Sequence, residues 1–263
     1  MIAADVTEPG VPTSIITSVR PEFVVHLAGG PRATFHESLM LNFLPSTEIL
    51  EATRGSECKT VLIGSAAEYG DHGANPIGEG AALTPLSEYG KAKAAQSLYA
   101  ARIASERVMV LRPFNVYAPS LMPQSTALGD LQAQLLAQRH EGSLTWQWGN
   151  PFLVRDYVSV DFVVAVILAC LTNWRPACSP LNVCSGVPIT MADVVSAIGA
   201  LSGKPVAYQT ALLGSPMPTP RYVLGDPTKL STVTGLRHVT SSTDVAEALL
   251  TPLRPGSLGA TVR

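Results

Sequence analysis

Short apolar segments alternate with amphipathic segments along the first two thirds of the chain. Residues 24–28, 60–63 and 108–111 are runs of mainly aliphatic side chains, which is typical of strands buried on both faces of a parallel sheet. Residues 36–54 and 88–104 lie between these runs, and the second is rich in strong helix formers. The alternation predicts an α/β fold whose parallel strands are joined by right-handed crossovers.

The last third continues with shorter elements. Residues 181–185 are expected to be extended, and residues 191–201 are expected to form a helix with Thr190 as its N-cap. A last short helix is predicted at 244–250, before a loose tail rich in Pro and Gly at 252–259. We expect residues 119–148 and the C-terminal third to form a cap that closes over a substrate.

Composition excludes several classes of function. The 263 residues are 46% hydrophobic and 14% charged and carry a net charge of -2, so nothing favours binding to nucleic acid or to an acidic membrane. The most apolar stretch, 162–171, is too short to span a bilayer, and no signal peptide is visible. The four cysteines have neither zinc-ligand spacing nor the density of a disulfide scaffold. These features predict free thiols, no metal site and a cytoplasmic location.

Residues that follow the strands are the first candidates for function. Ligands of parallel α/β sheets bind beyond the carboxyl ends of the strands, which here points to Ala28, Gly29, Ser65 and Asn115. A hydroxyl at Ser65 would be able to hold a reacting oxygen in place. The alternative is an ordinary serine in a turn between a strand and a loop.

Tyr89 and Lys93 lie four residues apart in the strongest predicted helix, so both side chains share one face. A tyrosine must lose roughly three pKa units, or about 4 kcal/mol, to act as a base near neutrality. One positive charge at about 4 Å supplies about that much at an effective dielectric of 20. Lys93, together with a cationic nicotinamide, is therefore predicted to lower the pKa of Tyr89 and let it move a proton during hydride transfer. The same spacing also occurs by chance, and the pair alone is weak evidence.

Seven motifs decide whether Ser65, Tyr89 and Lys93 are functional or occur by chance, because the motifs follow one order along nearly the whole chain. They are HLAG from His26, GSAAEYG from Gly64, SEYGKAK from Ser87, LRPFNVYAP from Leu111, VRDYVSVDFV from Val154, LNVCSG from Leu181 and GDPTKL from Gly225. This succession resembles the extended short-chain dehydrogenases/reductases (the NAD-dependent epimerase/dehydratase family), and most of all their nucleotide-sugar 4-ketoreductases and epimerases.

The resemblance implies roles for individual residues. The catalytic residues would be Ser65, Tyr89 and Lys93, with Asn42 as a structural and relay asparagine. NAD or NADP would be bound by Asp5, Val6, Leu27, Ala28, Gly29, Tyr89, Lys93 and Pro113. The sugar nucleotide would contact Ser65, Ala66, Asn115, Arg155 and Arg221, with Arg155 toward a phosphate. Arg221 is included because the family's late phosphate-binding arginine is replaced near Pro216.

The chain departs from the family pattern in the segment that binds the cofactor's pyrophosphate. The 263 residues contain no GxxGxxG turn, and Asp5 aligns with the end of the family's third strand. We therefore expect a Rossmann-like doubly wound sheet without its first strand-helix-strand unit, in which the strand at 23–28 has an open edge. Either the reading frame starts too late, or the protein is a shortened paralogue without redox activity. The first is favoured because Ser65, Tyr89 and Lys93 remain.

The resemblance also implies domains, partners and a reaction. Residues 1–185 would form the dinucleotide-binding domain, with 117–148 contributing to the cap, and 186–263 would form the substrate-binding cap. The expected activity is NAD(P)-dependent 4-keto reduction or C4 epimerisation of a nucleotide sugar. Ala66 and Ala67 stand where the dehydratases have acids, which argues against elimination of water. The alternative is a non-catalytic binding or regulatory protein. A homodimer is expected through the helices at 36–54 and 88–104.

Overall fold

The fold consists of helices and strands that alternate along the chain, and most of the strands after β3 have only two or three residues. The computed structural model describes residues 2–32, 34–103, 106–120, 122–210 and 219–253, apart from the side chains of residues 148, 178 and 210. The helices are α1 (Val11–Val19), α2 (Phe35–Asn42), α3 (Leu44–Thr53), α4 (Glu88–Ile103), α5 (Ala127–Ala137), α6 (Val160–Thr172), α7 (Met191–Ser202), α8 (Thr228–Thr234) and α9 (Ser242–Leu250). The strands are β1 (Phe23–His26), β2 (Lys59–Ile63), β3 (Val108–Pro113), β4 (Asn115–Tyr117), β5 (Leu144–Trp148), β6 (Val154–Arg155), β7 (Tyr157–Ser159), β8 (Leu181–Val183), β9 (Ile189–Thr190), β10 (Val206–Thr210) and β11 (Tyr222–Val223).

The central sheet has the order β1-β2-β3-β8, and all of its strands are parallel. Strand β1 lies at one edge and pairs with β2 alone among the described strands, which confirms the expected open edge. Strands β2 and β3 are central and almost wholly buried, as their aliphatic sequences predict. The predicted α/β class with a doubly wound parallel sheet is confirmed.

Two apolar clusters organise the packing. One joins the sheet to α6 and contains Val61, Leu111 and Val166, together with Leu230 from α8. The other lies among α5, α7, α9 and β5 and forms the core of the region expected to be the cap. The assignment of 186–263 to the cap stays a prediction, since Leu230 within that range packs against the sheet.

Two helical predictions need correction. The single helix expected at 36–54 is two helices, because α2 ends at Asn42 and Pro45 occupies the first turn of α3 without a backbone N–H to donate. Helix α1 was not predicted, although Gly10 precedes it and Pro12 lies in its first turn, a typical helix start. Helix α7 begins with the Thr190 cap, as expected.

The remaining sequence predictions about local structure have mixed outcomes. Residues 254–259 of the predicted loose tail lie outside the described residues. Among the described side chains, Cys58 and Cys184 are buried free thiols and Cys170 is buried, whereas Cys178 is outside that set. Within the described ranges, no helix is both long enough and apolar enough to cross a bilayer.

Candidate active site

The turn after β2 presents Ser65 at the carboxyl end of the sheet. Ser65 caps a short 3-10 helix, Ala66–Glu68, and its Oγ accepts the backbone N–H of Ala67 at 3.1 Å. The Glu68 carboxylate returns to accept the Ser65 N–H at 2.8 Å. A Cβ on Gly64 would collide with this carboxylate, so the reciprocal cap requires glycine there. The capped turn fixes the backbone that carries the Ser65 hydroxyl.

The N-terminus of α4 brings Tyr89 to the same place. Gly90 lies against the carbonyl oxygen of Ala67, where a Cβ would collide, and its N–H donates to Ser87 Oγ at 3.0 Å. This close approach puts Tyr89 beside the Ser65 turn, and hydrogen bonding between Ser65 and Tyr89 tends to lower the pKa of the phenol. Both side chains line one cavity.

Burial sets the pKa of Tyr89 in the protein alone. It raises the pKa of the phenol above its usual value because it disfavours the phenolate, Ser65 acts against this, and the charge of Glu68 adds to it. The predicted lowering by Lys93 together with a cationic nicotinamide concerns the complex with the cofactor and stays a prediction.

Lys93 lies one turn further along α4 and is only 2% exposed. Its Nζ donates to the carbonyl of Ile63 at 2.8 Å and to Gln96 Oε1 at 3.1 Å. An ammonium has three N–H groups, so these two bonds leave one for a ligand. Burial lowers the pKa of Lys93 to about 8, and the charge of Glu68 acts in the opposite direction.

The loop after β1 closes over Lys93. Asn42, fully buried, accepts the Gly30 N–H at 2.9 Å and donates to the Gly30 and Ser38 carbonyls at 3.0 and 2.9 Å. A Cβ on Gly29 would lie 2.8 Å from Asn42 Oδ1 and 3.1 Å from Lys93 Nζ. Asn42 thus holds the loop in place, and Gly29 leaves space beside the ammonium.

A cavity of about 710 Å³ lies between the residues that follow β2 and β3 and the region expected to be the cap. Among the predicted site residues, its lining contains Ser65, Ala66, Tyr89, Pro113, Asn115 and Arg155. A second cavity of about 210 Å³ shares Asn115 and Arg155 with the first. The structure therefore brings the predicted catalytic hydroxyls together with most of the predicted substrate contacts.

Arg155 supplies a positive charge to both cavities. Its guanidinium donates to the Val154 carbonyl at 2.7 Å. Burial lowers the pKa of Arg155, while Tyr157 and Asp71 act against the shift. The guanidinium remains protonated under ordinary conditions and suits an anionic group of a ligand.

Other predicted residues lie elsewhere. Arg221 is exposed and lies over the ring of Tyr222 at 5.5 Å, and it lines neither cavity, although its neighbours Thr219 and Pro220 line the larger one. Asp5 is exposed outside any described strand and accepts both the N–H and the hydroxyl of Thr7. Residues 2–5 form no strand and the Asp5 carboxylate closes a local turn, so the alignment of Asp5 with the end of the family's third strand stays a prediction.

The residues after β1 that are expected beside the cofactor are partly or largely exposed to solvent. Leu27 is 65% exposed, Ala28 is partly buried and Gly29 is exposed. Val6, at the N-terminal turn, is partly buried. None of these four lines either of the two cavities that hold Arg155. Their roles in cofactor binding stay predictions.

Sequence reasoning missed Asp156, which joins three segments of the site. The buried carboxylate accepts the N–H and hydroxyl of Ser185 at 2.8 and 2.7 Å and the N–H groups of Gly186 and Gly225 at 2.8 and 3.1 Å. Its backbone carbonyl accepts the Asn115 N–H at 3.0 Å. The available signal was an acid directly after Arg155 in the motif VRDYVSVDFV.

Two curated proteins are similar to this chain over most of its length. dTDP-L-rhamnose 4-epimerase of Burkholderia thailandensis is 27% identical over 250 residues, covering 78% of this chain and 68% of that protein. UDP-glucose 4-epimerase of Yersinia pestis is 28% identical over 236 residues, covering 80% of this chain and 70% of that protein.

Solved structures show the same fold. UDP-glucuronic acid 4-epimerase from Bacillus cereus, in complex with UDP-glucuronic acid and NAD, matches with a TM-score of 0.80 and 22% identity, covering 94% of this chain and 79% of that chain. RMD from Pseudomonas aeruginosa, complexed with NADPH, matches with a TM-score of 0.79 and 23% identity, covering 95% and 85%. The model of the NAD dependent epimerase/dehydratase family matches residues 1–184. Because that match extends over more than half of the sequence, the chain belongs to the NAD dependent epimerase/dehydratase family.

Proposed function

We propose that this protein is an NAD(P)-dependent enzyme that epimerises or reduces a nucleotide sugar at C4. The observation that carries the proposal is the meeting of Ser65 and Tyr89 on one cavity, with the buried ammonium of Lys93 one helical turn behind. The two curated relatives, which are 4-epimerases of a dTDP sugar and a UDP sugar, support the substrate class.

The residues at the nicotinamide end fit a dinucleotide. Gly29 leaves space beside Lys93, whose third N–H suits a hydroxyl of the ligand, and Pro113 and Tyr89 line the adjoining cavity. When bound, NAD or NADP supplies or accepts the hydride. The 263 residues contain no GxxGxxG turn, so the residues named here account for binding of the nicotinamide end and not of the pyrophosphate.

The proton chemistry belongs to Ser65 and Tyr89. Ser65 Oγ already accepts the Ala67 N–H, so its own hydrogen serves for donation, to Tyr89 in the protein alone and to a substrate oxygen at C4 in the complex. Tyr89 is a protonated phenol in the protein alone, the form that donates a proton to a carbonyl oxygen. Oxidation requires the reverse transfer, which positive charge near the phenol favours.

The remaining substrate contacts are proposed for Asn115 and Arg155, with Arg155 facing a phosphate of the nucleotide. Ala66 and Ala67 provide no acid beside Ser65, which argues against dehydration. The alternative of a non-catalytic binding protein is not favoured, because the catalytic groups line an open cavity. A homodimer and a cytoplasmic location stay predictions.

Turnover of UDP- and dTDP-sugars and their 4-keto derivatives with NAD or NADPH tests the proposal. We expect Tyr89→Phe to lose at least about 100-fold in kcat, because the proton donor is removed. Tyr99→Phe is the matched control in the same helix, since its hydroxyl bonds Glu51 at the surface. Full turnover by Tyr89→Phe contradicts the mechanism.

A further inference from the structure

A buried polar network lies behind the Ser65 turn. Glu68 is fully buried, and its Oε2 accepts the Arg112 Nε–H at 2.8 Å. Arg112 also donates to the Tyr69 hydroxyl at 2.9 Å, and that hydroxyl donates to Asn182 Oδ1 at 2.7 Å. The network therefore extends from the Ser65 turn across β3 to β8.

Stability alone does not explain a buried carboxylate at this point. Desolvation of two ions commonly costs as much as their attraction returns, and well-packed apolar replacements of such pairs are often neutral or stabilising. The second oxygen of Glu68 provides another reason, because it accepts the N–H of Ser65. Ser65 and Arg112 thus both donate to the Glu68 carboxylate, and Ser65 is a predicted catalytic residue.

The bond from Ser65 to Glu68 determines how the serine hydroxyl is used. With its backbone fixed by the carboxylate, Ser65 Oγ accepts the Ala67 N–H at 3.1 Å. The hydroxyl then keeps its own hydrogen for donation, to Tyr89 in the protein alone or to a ligand. Without the hydrogen bond to Glu68, neither the Ser65 backbone nor the orientation of its hydroxyl would be fixed.

The same carboxylate acts electrostatically on α4. Burial lowers the pKa of Lys93 and the charge of Glu68 raises it, while the Glu68 charge also raises the pKa of Tyr89. His26, from β1, also interacts with Lys93, but burial lowers its pKa to about 4 and leaves it neutral near pH 7. Arg112 is paired with Glu68 and partly offsets its charge.

We propose that Glu68 is a positioning residue for the reaction: it holds the Ser65 hydroxyl as a donor and contributes the buried negative charge that acts on Lys93. This inference rests on the proposed function for the role of Ser65. Glu68 itself does not line the cavity and acts through its neighbours.

Glu68→Gln tests the role with little change of shape. An amide has one acceptor oxygen and an NH₂ group, so it cannot accept from both Ser65 and Arg112. We expect kcat to fall roughly 10- to 100-fold with a smaller change in KM, because the misplaced hydroxyl affects the reaction more than binding. Glu57→Gln is the matched control, since Glu57 also pairs with an arginine, Arg107, but is exposed.

A readout without turnover follows Lys93 directly. Carbon NMR of the lysine Cε signals, with Lys93→Met to assign the resonance, is expected to show a lower Lys93 pKa in Glu68→Gln than in Glu57→Gln. A protein that turns over no sugar nucleotide contradicts the proposed function, whereas the lysine titration still decides the effect of the Glu68 charge. Unchanged kcat together with an unchanged titration overturns the inference.

A second variant separates positioning from folding. Glu68→Leu combined with Arg112→Met replaces the ion pair by apolar side chains and is expected to fold. A purely structural role for the pair predicts normal kcat in the folded double variant. The positioning role predicts a loss similar to that of Glu68→Gln, and normal kcat here overturns it.

Discussion

Gly90 lies so close to the carbonyl oxygen of Ala67 that a Cβ on the glycine would collide with it. This contact sets the distance between the first turn of α4, which carries Tyr89, and the turn that carries Ser65. The geometry of the candidate active site therefore depends on a residue that has no side chain.

Gly90→Ala should move α4 away from the Ser65 turn. Alanine normally stabilises a helix relative to glycine, but the collision with backbone is expected to reverse the sign and cost about 1–3 kcal/mol. Urea unfolding and kcat should both show a loss. Gly80→Ala is the control, because nothing lies within 4 Å of its Cβ position. Unchanged stability and turnover in Gly90→Ala would show that the helix adjusts without effect.

Asp156→Asn should destabilise the junction between sheet and cap. The asparagine NH₂ would face N–H groups now bound by the carboxylate, for example those of Gly186 and Gly225. We expect a loss of about 1–3 kcal/mol in the free energy of unfolding. Asp161→Asn, at an exposed position, should stay within about 0.5 kcal/mol of the wild type. Equal stabilities of the two variants would contradict this role of Asp156.

His26 should make stability depend on pH. Burial and the charge of Lys93 lower its pKa to about 4, so the folded state binds the proton less readily than the unfolded state. The unfolding free energy should then decrease as pH falls from about 6.5 to 4, by about 2 kcal/mol at pH 5. Its Nε2 has no hydrogen-bond partner among the described residues, so His26→Leu should fold and show a smaller pH dependence.

Urea unfolding at pH 7 and pH 5 measures this difference for wild type and variant. The exposed His36→Leu is the matched control. If His26→Leu retains the whole wild-type change between the two pH values, other groups cause it.

The predicted homodimer can be tested on α4. Leu98 is 61% exposed on this helix, and Leu44, at the start of α3, is also exposed. Exposed aliphatic side chains on adjoining helices suit an interface between two copies of the chain. Light scattering should give a dimer for the wild type and a monomer for Leu98→Glu. Leu168→Glu on α6 is the control, with 56% exposure, and a monomeric wild type would contradict the prediction.

The sequence by itself determined the local elements and their order. Continuous aliphatic runs identified β2 and β3, and the motif around Tyr89 and Lys93 was placed correctly in a helix, because periodicity and helix propensity act over a few neighbouring residues. Strand ends of a parallel sheet meet at one edge, so the sequence also indicated that Ser65 and Asn115 lie at one cavity.

Only the tertiary structure decided what surrounds these groups. Glu68 meets Arg112 across 44 residues and Asp156 meets Gly225 across 69, distances along the chain at which no local pattern operates. The raised pKa of Tyr89 in the protein alone depends on such distant contacts as well. A neighbouring charge can be read from spacing along a helix, but burial, which dominates here, exists only once distant segments have packed together.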